Sequence, residues 1–121
     1  MNRVGERMQI ERKIVGNVTI LTLVGEFDER GYRPAVAKID AVIDLGCHSL
    51  IVNVSRLSSI CPSALGYLIR TERRVRELRG EMVLSEPSEY FQSTITTLGI
   101  DETFRIFPTD DEARAALEKR S

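Results

Sequence analysis

Residues 8–14, MQIERKI, alternate apolar and polar positions through Met8, Ile10 and Ile14, and that period of two predicts a half-exposed edge strand. VGN at 15–17 reads as a turn. The denser β-branched run VTILTLVG, 18–25, predicts a more buried strand. The period then changes. Tyr32, Val36, Ile39 and Ile43 are spaced 4, 3 and 4, one face of a helix. Pro34 suits only a first turn, so the helix is expected to start near Gly31–Arg33 and to stop at Gly46.

SLIVNVS, 49–55, is a short apolar strand. Ala64, Leu68, Thr71, Val75 and Leu78 recur at 4, 3, 4 and 3, so 62–79 is a second amphipathic helix, ended by Gly80. EMVLS, 81–85, is a strand. Pro87 opens a third helix whose inner face is Phe91, Ile95 and Leu98, closed by Gly99. TFRIF, 103–107, alternates as a strand does. TDDE, 109–112, is a capping box, with the Thr109 hydroxyl on the Glu112 N–H and Glu112 reaching back. The last helix buries Ala113, Ala116 and Leu117.

The order β-β-α-β-α-β-α-β-α places helices between most strands, which implies right-handed crossovers and a largely parallel, helix-covered sheet. The first two strands form a hairpin, so the sheet is mixed. The chain of 121 residues predicts one domain, 1–121, with 1–7 a flexible tail.

Composition narrows the functional classes. A net charge of −1 gives no general attraction to phosphate backbones, against nucleic-acid binding. Trp is absent and aromatics are few, against a base- or sugar-stacking platform. The longest apolar stretches are too short to span a bilayer, and the N-terminus has no signal-like apolar region, so no membrane insertion and a cytoplasmic location are expected. Cys47 and Cys61 are then reduced. Without a CxxC, and with His48 alone, they make no metal site. No GxGxxG or P-loop occurs, and no cofactor is expected.

The chemistry of interest lies in ICPSALG, 60–66. Pro62 at a first helical position makes Cys61 the N-cap and Ser63 the second helical residue. A helix N-terminus favours anions. A phosphate on Ser63 would be stabilised there, a Cys61 thiol would be activated there, or the segment is only a well-made helix start. Asp28, in GEFDERG, either caps the first helix or offers its carboxylate on the rim shared with 58–63. The second helix carries Arg70, Arg73, Arg74, Arg76 and Arg79 against Glu72 and Glu77, either a solvated face with local ion pairs or a surface for an acidic partner.

Taken together, LVGEFD (23–28), LIVNVSRLSSICPSALGYLI (50–69), RGEMVLSEPSEYFQSTITTLGIDETFRIF (79–107) and TDDEARAAL (109–117) resemble the STAS domain family, named for sulfate transporters and anti-sigma-factor antagonists. The resemblance covers nearly the whole chain. It implies a STAS α/β fold, a mixed and mostly parallel sheet of four to five strands covered by about four helices, and no catalysis. It also implies a partner that is an anti-sigma factor and serine kinase, released when the Ser or Thr at the start of the second helix is phosphorylated. The family's central signature runs roughly Leu-x-x-x-Asp-Ser-Ser/Ala-Gly-Leu-Gly. Leu57, Leu65 and Gly66 match it, and Asp28 matches the acidic residue ending the second strand. The signature Asp falls on Cys61, and the usual phosphoacceptor falls on Pro62. Ser63 matches the next residue, and Ala64 replaces a Gly.

Three readings follow. In the first, a non-enzymatic interaction domain of the antagonist type, a monomer or weak homodimer, binds through Asp28, Ser59, Cys61, Pro62, Ser63, Ala64 and Gly66, with Tyr67 and Arg70 as anchors. Ser63, and less so Ser59, are the candidate phosphoacceptors. In the second, it is a constitutive subunit docked to an ABC transporter ATPase or a sensory scaffold. In the third, it is a thiol enzyme built on Cys61, which needs a base such as His48, expected at the opposite end of the sheet.

Overall fold

The computed structural model describes residues 8–119, so the expected tail at 1–7 lies outside the described residues. The strands are β1 (Met8–Val15), β2 (Val18–Phe27), β3 (Ser49–Asn53), β4 (Leu57–Ile60), β5 (Glu81–Ser85) and β6 (Ile106–Phe107), and the helices are α1 (Glu29–Asp44), α2 (Pro62–Glu77), α3 (Glu89–Thr97) and α4 (Asp110–Glu118). They form one six-stranded sheet in the order β1-β2-β3-β5-β6, with β4 on β2. Among the described strands only the β1–β2 pair is antiparallel. This is the expected mixed, mostly parallel α/β architecture with one strand more.

The additional strand is β4. Thr19–Thr22 of β2 pair with Leu50–Asn53, and Gly25, Glu26 and Phe27 pair with Leu57, Ser59 and Ile60. Strands β3 and β4 thus lie end to end along one edge of β2, separated by a jog at 54–56. Asn53 shapes the jog: its Oδ1 accepts the Ser55 N–H at 2.9 Å and the Ser55 hydroxyl at 2.7 Å. The register of β2 shifts between Gly25 and Glu26. Gly25 takes φ 108° there, a conformation open to glycine at little cost.

Alternation divides the core into two layers. Leu21, Leu23, Leu50, Val52, Met82 and Leu84 face α1, α2 and α3. Val18, Ile20, Ile51 and Val83 face Ala113 and Leu117 of α4.

Several boundaries differ from the sequence reading for definable reasons. Helix α1 starts at Glu29, because Asp28 caps it. Pro34 therefore lies beyond the first turn and withholds a bond from the Arg30 carbonyl, on a side where both residues are exposed. The inner face of α1 is Gly31, Ala35, Ile39, Val42 and Ile43, with Tyr32 and Val36 only flanking it. A Cβ on Gly31 would stand 2.7 Å from that of Met8, so small residues let the helix sit down on β1. Leu78 and Leu98 are C-cap residues, turned out to 44% and 57% exposure. Ala116 is only half-buried. Strand β6 is confined to two residues, while Phe104 leaves the strand line and enters the core. In α4 the Glu112 carboxylate reaches the Thr109 hydroxyl at 3.3 Å, and Thr109 accepts the Glu112 N–H at 3.1 Å.

Helix α2 ends in a left-handed residue, but at Arg79 (φ 66°). Gly80 is required for close approach: a Cβ there would collide with the backbone and Cβ of His48. Gly80→Ala must push β5 away from the start of β3. It is expected to cost about 1–3 kcal/mol, read as a lower urea midpoint at unchanged slope.

Candidate functional site

Strands β2, β4, β5 and β6 run the same way, so their C-terminal ends share one rim, where binding residues of open α/β sheets gather. The segments emerging there are Asp28–Glu29, Cys61–Ser63, Glu86–Ser88 and Thr109–Asp110.

Asp28 and the start of α2 are brought together by one backbone bond, Cys61 N–H to the Phe27 carbonyl, at 2.9 Å. The Asp28 carboxylate accepts the N–H groups of Arg30 and Gly31 at 3.0 and 3.1 Å. It caps α1 while standing on the rim. Ser88 and Thr109 cap α3 and α4 in the same way. Cys61 gives α2 no side-chain cap, and Pro62 occupies the first helical position. Pro62 and Ser63 are exposed, Ser59 and Gly66 are half-exposed, and Cys61 packs partly against the core. The Ser63 hydroxyl makes no hydrogen bond among the described residues.

Two expected contact residues are not available to a partner. Ala64 is 0% exposed and Tyr67 7%. Tyr67 stands at the α1–α2 interface, edge-on to Tyr32, and its hydroxyl donates to Asp40 Oδ1 at 2.7 Å. Burial, reinforced by the Asp40 carboxylate, pushes the phenol pKa well above its usual value. The spacing of Ala64, Tyr67 and Thr71, 3 and then 4, is itself an inward signal. Arg70 does stand exposed.

The arginines of α2 divide by partner. Arg74 binds Asp40 at 3.2 Å and Asp44 at 2.8 Å on α1, and Arg76 binds Glu72 at 2.8 Å. Arg70, Arg73 and Arg79 have no ion-pair partner among the described residues. The local-pair reading therefore accounts for two of the five, and three cations stay available.

Among the described residues no basic side chain is hydrogen-bonded to Cys61. His48, the single histidine, lies before β3 at the far end of the sheet, with Nε2 3.2 Å from the Ile43 carbonyl. Among the described residues no group of three His, Cys, Asp or Glu is placed to hold a metal ion, and no helix is long and apolar enough to cross a membrane.

Two features of this end escaped the sequence reading. The Tyr90 hydroxyl accepts the Ile60 N–H at 3.0 Å, tying α3 to the strand that leads into α2. Asp110 Oδ1 accepts Asn53 Nδ2 at 3.0 Å and the Ser85 hydroxyl at 2.5 Å, joining three elements in a mostly buried polar cluster. An Asn inside the apolar run SLIVNVS was the available signal, but its partner lies 57 residues away.

A family model described as the STAS domain matches residues 9–113. No curated protein matches the chain. Among solved structures, the chain is similar to a Thermotoga maritima protein described as a candidate anti-sigma factor antagonist, at TM-score 0.83 and 21% identity, covering 90% of this chain and 94% of that one. It is similar to the anti-sigma factor antagonist SpoIIAA in its unphosphorylated form, at TM-score 0.77 and 23% identity, covering 92% and 97%. It is also similar to the Bacillus cell fate determinant SpoIIAA in the phosphorylated form, at TM-score 0.68 and 24% identity, covering 90% and 97%. At these identities the likeness establishes the fold.

Two substitutions test the construction of the site. Asp28→Ala removes the α1 cap and is expected to cost about 1 kcal/mol, measured by urea denaturation. A phenol whose pKa is raised on folding keeps its full contribution below its unfolded value near 10 and loses it as the pH climbs above that. Wild-type stability is thus expected to fall as the pH rises above about 10. Tyr67→Phe should flatten part of that fall and cost about 1 kcal/mol at neutral pH.

Proposed function

The chain belongs to the STAS-domain family, and from that premise we propose that it is a cytoplasmic, non-enzymatic regulatory domain of the anti-sigma-factor-antagonist kind. Its partner in this reading is an anti-sigma factor that is also a serine kinase. The observation that carries the reading is the start of α2: an uncapped helix N-terminus with Pro62 and Ser63 exposed beside Asp28 on the strand-end rim. The contact surface is Asp28, Ser59, Cys61, Pro62, Ser63 and Gly66, continued along α2 by Arg70 and Arg73. The presence of an anti-sigma factor antagonist, SpoIIAA, among proteins of the same fold supports it.

Pro62 cannot accept a phosphate, since it has no hydroxyl. Ser63, exposed and one position on, is the remaining acceptor at this helix start, and Ser59, half-exposed within β4, is a poorer one. The same proline favours the second reading, a constitutive STAS subunit docked to an ABC transporter ATPase or a sensory scaffold, where no switch is needed.

Arg70→Glu reverses an exposed, unpaired charge at the centre of this surface. It is expected to weaken binding to a purified anti-sigma kinase from the same genome by about tenfold or more, with the unfolding midpoint unchanged. Unchanged affinity would remove α2 from the interface. Incubation with that kinase and ATP, followed by mass spectrometry, separates the readings: phosphate on Ser63 supports the switched antagonist, and an unmodified chain supports the constitutive subunit.

A further inference from the structure

The outer edge of β1 offers a second surface. Strand β1 is the last in the sheet order, and no described strand pairs with its other side. The Gly25 N–H bonds the Arg56 carbonyl on the β4 side of β2. By alternation the backbone groups of Val18, Ile20, Thr22 and Val24 point to β1, and those of their partners Val15, Lys13, Glu11 and Gln9 point back. The N–H and C=O groups of Ile10, Arg12 and Ile14 therefore face outward. Such an edge is open to pairing with another strand.

The side chains on this edge are self-complementary in one register. Met8 and Ile10 pack on the α1 side of the sheet, and Val15 packs on the α4 side. Alternation places Ile14 with Ile10, and Glu11 with Lys13. Two copies of β1 running antiparallel about a twofold axis at Arg12 would set Glu11 of each copy opposite Lys13 of the other. They would also set Ile10 opposite Ile14. Among the described residues Lys13 has no ion-pair partner, and Ile14, 59% exposed, has one of the largest apolar exposures. Moving the axis to Glu11 stacks Glu11 on Glu11, and moving it to Lys13 stacks Lys13 on Lys13. Like charges directly opposite oppose pairing. The favoured register keeps one like pair, Arg12 on Arg12, as each alternative keeps one, but it alone of the three adds two Glu11–Lys13 pairs of opposite charge.

We infer that this edge is a homodimerisation surface: two copies of the chain pair their β1 strands antiparallel about Arg12, joining their sheets edge to edge, with Glu11–Lys13 complementarity fixing the register. The arrangement is isologous, as a twofold dimer requires. It is independent of the rim and of α2.

Sedimentation velocity over a concentration series tests it. The wild-type chain is expected to pass from monomer to dimer as concentration rises. Glu11→Lys and Lys13→Glu should each weaken the dimer by about tenfold or more, since each puts like charges opposite at two places. An equimolar mixture of the two variants should recover the dimer, because every 11–13 contact is then between opposite charges. Glu11→Lys also breaks the Glu11–Arg56 ion pair (3.2 Å), and the mixture does not repair that, so recovery reports the interface alone. Arg12→Cys provides a second measurement: a bonded antiparallel pair holds its Cα atoms about 5.5 Å apart, within disulfide reach. Oxidation should give a covalent dimer that the parent chain, with Cys47 and Cys61, does not give. A wild-type chain that stays monomeric at all concentrations, a dimer indifferent to both charge reversals, or an Arg12→Cys chain that does not cross-link would each overturn the assignment.

Discussion

The construction depends on β2 carrying two partners in series on one edge. Strand β3 holds its first half, and β4 holds its end. Only because β4 extends the line as far as Phe27 can the Cys61 N–H reach the Phe27 carbonyl. That bond places the start of α2 beside the start of α1. Without the jog at 54–56, the chain would leave the sheet at Asn53, and α2 would begin well short of the rim. The bulge at Gly25 answers the same demand, since β2 must change register where its neighbour changes from one strand to the next.

A polar cluster secures the jog from the opposite face. Asn53 and Ser85 are 4% and 0% exposed, and both donate to the Asp110 carboxylate at the first turn of α4. Buried polar groups are costly when unmet and add only a modest net stability when paired. The cluster's main effect is therefore geometric. It fixes where α4 begins and locks the Asn53 amide in the orientation that turns the backbone at Ser55. The rim is thus held from both faces of the sheet, by the Tyr90–Ile60 contact on one and by Asp110 on the other.

The local parts of this design were readable in the sequence, and the relational parts were not. The α2 stripe from Ala64 to Val75, Pro62 at its first position and the Thr109 cap depend on neighbours within a turn, and spacing reveals them. The α/β class and mostly parallel sheet followed from the alternation of strand and helix patterns, and the STAS assignment from motifs spread along the chain. Strand β4 was missed because LSSI has neither length nor clean alternation, and its strand character comes from β2. Asp28 left two roles open in the sequence, and it caps α1 from a place on the rim. Tyr67 was read as exposed because Tyr favours interfaces, although its own spacing puts it inward. What satisfies its hydroxyl is Asp40, 27 residues away, which no local pattern contains.

The same geometry constrains how a charge on Ser63 would act. A dianion at the second position of α2 meets the positive end of the helix, with free N–H groups that no side chain caps. Phosphorylation there would stabilise the helix start and leave the domain folded. In the proposed antagonist reading, loss of docking would then arise at the interface itself, through the desolvation of a doubly charged group. Pro62 sharpens the contrast. It fixes the first turn by its ring, so α2 needs neither a capping side chain nor a bound anion to begin where it does, and the shape offered to a partner persists whether or not Ser63 is charged.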